Sequence, residues 1–108
     1  MKIIYVDIDE TICYYKKERQ YEDALPIKKN IEKINRLYDE GNKIVYWTAR
    51  GYTTGINHYQ LTLDQLEKWG AKHHQLKTGK PNYDLFICDK SINSAVFFKN
   101  EEERGIND

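Results

Sequence analysis

Residues 3–11 read IIYVDIDET, an apolar run followed at once by two carboxylates and a threonine. A continuous apolar run such as Ile3–Val6 is typical of a β-strand buried on both faces, as strands of a parallel sheet are. In parallel sheets covered by helices, ligands bind beyond the carboxyl ends of the strands. The stretch therefore predicts a buried strand that delivers Asp7, Asp9 and Thr11 to the functional edge of a sheet.

The rest of the chain alternates between helical and strand patterns. Apolar residues spaced three and four apart predict a helix that begins near Pro26 and ends at Gly41. Thr62 and Gln65 form a capping box that predicts the start of a second helix, which stops at Gly70. Further strands are predicted at Lys43–Trp47 and at residues 73–76, 85–88 and 95–98. This alternation predicts an α/β fold with a mostly parallel central sheet.

Length and composition narrow the classes of protein. The 108 residues suit one domain, predicted over residues 1–99, with a polar tail at residues 100–108. We expect neither a membrane span nor a signal peptide, because no apolar run is long enough. Basic and acidic residues number 17 each, and this zero net charge argues against a dedicated nucleic-acid-binding protein. Cys13 and Cys88 lie far apart, which favours a cytoplasmic protein with free, buried thiols.

Three carboxylates are predicted to meet at one edge of the sheet. Asp7 and Asp9 follow the first strand, and Asp89 follows the strand predicted at residues 85–88. Two carboxylates two residues apart can take different catalytic roles, because one can attack as a nucleophile while the other transfers a proton. A third carboxylate would complete an oxygen-rich site suited to Mg²⁺.

Donors for anionic oxygen atoms come from two other places in the chain. Thr48, Ala49 and Arg50 follow the strand Lys43–Trp47, and Lys80 precedes the strand predicted at residues 85–88. Transfer of a phosphoryl group needs positioning and charge neutralisation more than new covalent chemistry. The combined set predicts a phosphoryl-transfer site. Arg50 has two interpretations, contact with the leaving group of the substrate or an ion pair with a surface acid.

These motifs resemble those of the haloacid dehalogenase (HAD) superfamily of phosphohydrolases. Asp7 to Thr11 match its DxDxT signature, and Thr48, Lys80 and Asp89 are similar to its second, third and fourth motifs. The resemblance covers residues 3–98 and is closest to small phosphatases of capsule and surface-polysaccharide biosynthesis. It implies a Rossmann-like three-layer sandwich.

The resemblance also implies a role for each motif residue. Asp7 would be the nucleophile that forms an aspartyl-phosphate, and Asp9 would protonate the leaving oxygen and then activate water. For this we expect the pKa of Asp9 to be raised in the substrate complex. The phosphoryl oxygens would be held by Thr48, Ala49 and Lys80. The implied Mg²⁺ ligands are Asp7, Asp9 and Asp89.

The fourth motif departs from that of many relatives, which carry two adjacent acids where this chain has Cys88 and Asp89. Sulfur suits Mg²⁺ poorly, so either Asp89 serves alone or Asp84 joins it. We favour Asp89, because it follows the carboxyl end of the predicted strand, whereas Asp84 lies at the opposite end.

The spacing of the motifs leaves no room for a cap domain, since the two intervals from Asp7 to Thr48 and from Thr48 to Lys80 each hold a loop and one helix. Capless members of the superfamily act on macromolecules or have their sites covered by neighbouring subunits. A thin core and nine tyrosines, together with the resemblance to polysaccharide enzymes, favour a homo-oligomer that acts on a small sugar phosphate. The alternatives are a nucleotide or polynucleotide phosphatase, and an inactive HAD fold used as a binding module.

Overall fold

The computed structural model describes residues 1–99. The strands are β1 (Ile3–Val6), β2 (Cys13–Tyr14), β3 (Leu25–Pro26), β4 (Lys43–Trp47) and β5 (Gln75–Lys77). The helices are α1 (Lys28–Asp39), α2 (Tyr59–Lys68) and α3 (Ser94–Phe97), with one 3-10 turn at Tyr21–Asp23. The polar tail predicted at residues 100–108 lies outside the described residues.

A three-stranded parallel sheet in the order β1-β4-β5 organises the fold. Val6 of β1 lies opposite Tyr46 of β4, and Tyr46 lies opposite Leu76 of β5. The small strands β2 and β3 pair antiparallel beside this sheet. The predicted α/β fold with a parallel sheet is confirmed, and the strand predicted at residues 73–76 is present as β5.

The core lies between the sheet and the helices. Ile31 and Ile34 of α1 belong to the same buried cluster as Ile44 of β4 and Leu66 of α2. Full burial of each such side chain stabilises the fold by about 1.5–3 kcal/mol. The apolar face predicted for α1 is therefore the face that it buries. Within residues 1–99, no helix is both long and apolar enough to cross a membrane.

The sequence predicted that β1 is buried on both faces, and this prediction is wrong. Ile3 is 62% exposed and Tyr5 50% exposed, whereas Ile44, Val45 and Tyr46 of β4 are buried. Ile3 and Tyr5 share one face of β1 and alternate with Ile4 and Val6, so β1 buries one face alone, and it pairs only with β4 among the described strands.

The helix ends also differ from those predicted. Helix α1 begins at Lys28, and Pro26 belongs to β3. Gly41 adopts a φ of +96° just beyond the end of α1, in the left-handed region that glycine tolerates, as expected of a helix stop. Helix α2 begins at Tyr59, so the predicted capping box is wrong.

Two strands predicted in the last part of the chain are absent from the described residues. Residues 85–88 have no regular structure and are exposed, and residues 95–98 lie largely in the short helix α3, capped by the Asn93 side chain. Both predictions rested on short apolar runs, which do not distinguish a strand from other structures unless a neighbouring strand is present. Cys13 is buried as expected, but Cys88 is exposed.

Candidate functional site

A cleft of about 520 Å³ opens beyond the carboxyl ends of β1 and β4. It is lined by Asp7, Asp9, Ala49, Arg50 and Lys80, which the sequence placed in one site. Its walls come from residues 19–22, from the loop after Arg50 and from residues 81–83. The fold therefore brings together five of the seven predicted site residues.

A tight turn after β1 aims the two aspartates at the cleft. The backbone N–H groups of Thr11 and Ile12 both donate to the carbonyl oxygen of Ile8, at 3.1 and 2.9 Å. Glu10 completes the turn with a φ of +62°, an uncommon conformation for a residue with a side chain. Ile8 is fully buried, and the flanking residues Asp7 and Asp9 both line the cleft.

Asp7 and Lys80 form an ion pair in the cleft. Lys80 Nζ lies 3.5 Å from Asp7 Oδ1, and the Asp7 side chain remains 41% exposed. Burial raises the pKa of Asp7 above its usual value, with a smaller contribution from the charge of Asp9. The Lys80 ammonium group and the backbone N–H of Ile8 offset part of this increase. An accessible carboxylate is thus held next to a cation in the cleft.

Asp9 is held far more tightly than Asp7. Its Oδ1 accepts hydrogen bonds from Arg50 Nη2 at 2.9 Å and from the Tyr15 hydroxyl at 2.5 Å. Arg50 Nε donates to Oδ2 at 3.1 Å. Burial raises the pKa of Asp9, but the hydrogen bonds and charge of Arg50, helped by Tyr15, outweigh it and hold the pKa below its usual value. In the protein without substrate, the pKa of Asp9 is therefore lowered, whereas we expect it to be raised in the substrate complex.

Arg50 is buried, so its interpretation as a surface ion pair is wrong. Its Nη1 donates to Thr62 Oγ1 at 3.1 Å and to Gln65 Oε1 at 2.6 Å. The guanidinium carbon lies 4.8 Å from the centre of the Tyr21 ring. Thr62 and Gln65 therefore act within α2 as acceptors for the arginine. Their spacing of three residues, which predicted a helix cap, places both side chains on one face of α2.

Thr48 lies behind the cleft rather than on its surface. It is 1% exposed, and its hydroxyl oxygen accepts a hydrogen bond from the Arg50 backbone N–H at 3.1 Å. Its carbonyl oxygen accepts from the Lys80 N–H at 3.1 Å. In this conformation Thr48 joins the loop that carries Arg50 to the loop that carries Lys80.

Asp89 and Asp84 do not reach the site. Both are exposed, and neither lines the cleft. Among residues 1–99, no group of three or more His, Cys, Asp or Glu side chains is placed to hold a metal ion. The cause is the exposed conformation of residues 85–88, which leaves Asp89 away from the sheet edge where the sequence analysis placed it.

No family model and no curated protein matches this chain. Among solved structures, it is similar to the crystal structure of an MCSG target from Vibrio cholerae, with a TM-score of 0.79. The two sequences are 24% identical, and the similarity covers 95% of each chain. At this level of identity the similarity shows the fold alone.

Proposed function

We propose that this chain is a capless phosphatase of the HAD type that hydrolyses phosphomonoesters through a phosphorylated Asp7. The observation that carries the proposal is the accessible Asp7 carboxylate, 3.5 Å from the Lys80 ammonium group in a cleft shared with Asp9 and Arg50. A nucleophile beside a cation is what attack on an anionic phosphoryl group needs. The β1-β4-β5 order, with the motif residues after β1 and β4, supports a Rossmann-like core of this type.

The reaction has two steps. An Asp7 carboxylate oxygen attacks phosphorus, and the ester P–O bond breaks while Asp9 gives its proton to the leaving oxygen. Water then attacks phosphorus, gives a proton to Asp9 and releases inorganic phosphate, which restores the Asp7 carboxylate. Lys80 and the backbone around Ala49 hold the phosphoryl oxygens during both steps.

Asp9 needs a change of protonation for the first step. Arg50 holds its pKa low in the free protein, so Asp9 is ionised at neutral pH before substrate binds. The negative charge of a bound phosphate raises the pKa of a neighbouring carboxyl group. Binding of the substrate thereby prepares Asp9 to act as an acid, while Arg50 keeps it oriented.

Mg²⁺ is the proposed cofactor, and when bound it would neutralise charge on the phosphate. The implied ligands are Asp7, the backbone carbonyl of Asp9, and Asp89. Of the two implied carboxylates, Asp7 lines the cleft and Asp89 does not. One chain folded in this way fits only part of a Mg²⁺ site, and the two steps above rest on protein groups alone.

The proposed substrate is a small sugar phosphate of capsule or surface-polysaccharide biosynthesis, in the cytoplasm. A volume of about 520 Å³ lies within the range of pockets for small molecules, about 300–1,000 Å³. Net charge of zero offers no electrostatic advantage for a polynucleotide.

A phosphate-release screen tests the proposal. Wild type is incubated with Mg²⁺ and a panel of sugar phosphates and nucleotides, beside Asp7→Asn and the matched control Asp64→Asn, whose carboxylate is exposed on α2. We expect release by wild type and Asp64→Asn and none by Asp7→Asn, with a phosphorylated Asp7 peptide detected by mass spectrometry. A preference for nucleotides would replace the sugar phosphate as the proposed substrate. Full activity of Asp7→Asn would overturn the assignment of Asp7 as the nucleophile.

A further inference from the structure

Residues 85–88, Leu-Phe-Ile-Cys, form an apolar segment without a partner in the sheet. Leu85, Phe86 and Ile87 are 74%, 54% and 87% exposed. Three consecutive large apolar side chains in water are unfavourable by about 25 cal/mol for each Å² of apolar surface left exposed. The pattern is one that a buried strand carries, so the segment lacks the neighbour that its sequence requires.

The outer edge of β1 lacks a neighbour in the same way. Within residues 1–99, β1 pairs only with β4, and its exposed side chains Ile3 and Tyr5 are apolar or aromatic. The opposite edge of the sheet, β5, exposes Gln75 and Lys77, polar residues of the kind that protect a sheet edge. Of the two edges, β1 is therefore the one suited to receive another strand.

A parallel alignment of residues 85–88 with β1 has a consequence for the cleft. Cys88 precedes Asp89 as Val6 precedes Asp7, so this register places Ile87 beside Tyr5 and Asp89 beside Asp7. The carboxylate missing from the cleft would then stand at the carboxyl end of the added strand. One strand addition would give the exposed segment a partner, cover the open edge of β1 and bring a further carboxylate to the cleft.

The chain holds this segment away from its own sheet between two anchored ends. Before the segment, the Asn82 side chain donates to the Thr53 hydroxyl. After it, Phe98 is buried, and Lys33 Nζ of α1 donates to the Phe97 carbonyl oxygen at 2.7 Å. Residues 83–93 form a long exposed loop between these points, of the kind that exchanges between identical chains.

We propose that two copies of this chain exchange residues 85–88, each adding the segment as a parallel strand to β1 of the other, so that Asp89 of one copy completes the candidate site of its partner. The strand exchange stands on the exposed segment and the open edge. Only the role given to Asp89 rests on the proposed function.

The exposed apolar surface of five side chains sets an upper limit on the area that the exchange can bury. The exposed parts of the five side chains amount to on the order of 650 Å² per copy, taking about 200 Å² for a large side chain. Complete burial of these side chains on both copies would remove about 1,300 Å² in total, an upper limit that lies within the range of about 1,200–2,000 Å² for specific interfaces. The five side chains are Ile3, Tyr5, Leu85, Phe86 and Ile87.

Cysteine cross-linking tests the exchange without any assay of activity. In a Cys88→Ser background, one chain carries Tyr5→Cys and a second carries Ile87→Cys, and the two are mixed, refolded together and oxidised. We expect a disulfide-linked dimer on a non-reducing gel. The matched control replaces Tyr5→Cys by Tyr52→Cys, at a tyrosine of similar exposure outside β1, and should give no link.

A chain that carries both Tyr5→Cys and Ile87→Cys separates exchange from folding within one chain. Exchange gives a covalent dimer from this variant, whereas an internal link alone would overturn the proposal. Absence of any link in either experiment would overturn it as well.

Sedimentation velocity provides an independent measurement. We expect wild type to be a dimer and Ile87→Asp to be a monomer with unchanged circular dichroism, because Ile87 is exposed in the single chain. Tyr52→Asp should remain a dimer. A monomeric wild type at micromolar concentration would contradict the exchange.

Subunit complementation tests the role of Asp89. Asp7→Asn and Asp89→Asn chains, each of which we expect to be inactive alone, are unfolded and refolded as an equimolar mixture. Random pairing gives mixed dimers with one intact site, so activity should return to about a quarter of wild type. If the cross-links form but the mixture recovers no activity, the role of Asp89 is overturned. If the cross-links form but wild type itself is inactive, the result counts against the proposed function and leaves the exchange supported.

Discussion

Arg50 and Asp9 form an ion pair in which Nη2 lies 2.9 Å from Oδ1 and the arginine side chain is fully buried. Tyr15, Thr62 and Gln65 supply further hydrogen bonds to the two charged groups. Buried charges are tolerated only when they are paired and hydrogen-bonded in this way. The pair joins the turn after β1, the loop after β4 and the helix α2, so it fixes the shape of the cleft as well as the orientation of Asp9.

Replacing Arg50 by glutamine should reduce the free energy of unfolding by about 3–5 kcal/mol, because it leaves the Asp9 carboxylate buried without its partner. Urea denaturation measures the change. Arg19→Gln is the matched control, since Arg19 makes an exposed pair with Glu10 at 3.4 Å and should cost less than about 1 kcal/mol. Equal effects of the two substitutions would show that the buried pair contributes no more to stability than the exposed one.

The same variant has a defined pH dependence. Arg50 holds the pKa of Asp9 in the folded protein below its unfolded value, about 3.9 for an aspartate. The stability that the ion pair contributes is therefore fully present above the unfolded pKa. It is lost as the pH falls through the folded pKa. The difference between wild type and Arg50→Gln should therefore narrow in acid, and a difference that widened there would contradict the ion pair.

Gly51 should tolerate no side chain, because it has a φ of +83° and a Cβ there would overlap the carbonyl oxygen of Ile56. Gly51→Ala should cost at least about 2 kcal/mol and raise KM, since the loop that must shift lines the cleft. Gly55→Ala is the control, with a φ of +75° and open space around its Cβ, and should cost about 1 kcal/mol. Urea denaturation and phosphate release measure the two effects.

The sequence patterns that predicted correctly were local ones. The apolar run of β1, the run of β4 and the spacing of α1 each carry their own signal, and the position of Asp7 after β1 follows from them. Because parallel strands end at the same edge, the meeting of Asp7 with Arg50 in one cleft was also predictable, and Lys80 joins them because it follows β5 of the same sheet.

The errors arose where a residue's role depends on a distant partner. Thr62 and Gln65 have the spacing of a cap, but the buried Arg50 takes their oxygen atoms, and nothing within α2 indicates this. Residues 85–88 have the composition of a strand, but a strand forms only where a neighbouring edge is available. Local sequence does not encode either partner.

The hydroxyl group of Tyr46 predicts a stabilising substitution. Tyr46 is fully buried in the central strand β4, and in the described part of the chain its hydroxyl has no hydrogen-bond partner. Tyr46→Phe should raise the free energy of unfolding by about 1–2 kcal/mol, because it removes a buried, unsatisfied polar group. Tyr52→Phe, at an exposed tyrosine, should change it by less than about 0.5 kcal/mol. A loss of stability in Tyr46→Phe would show that the hydroxyl is bonded.

Asp7→Asn should abolish phosphate release and yet stabilise the fold at neutral pH. Burial raises the folded pKa of Asp7, so the ionised carboxylate opposes folding above that pKa. The gain should be less than about 1 kcal/mol, because the side chain is 41% exposed and solvent screens its charge. It should shrink as the pH falls from the folded pKa towards the unfolded value of about 3.9, and vanish well below that value, where Asp7 is protonated in both states. Urea denaturation at several pH values measures it, beside Asp64→Asn as the control for removal of an exposed carboxylate. A destabilised Asp7→Asn would mean that the Lys80 pair outweighs desolvation, and that the nucleophile is held in place without cost to the fold.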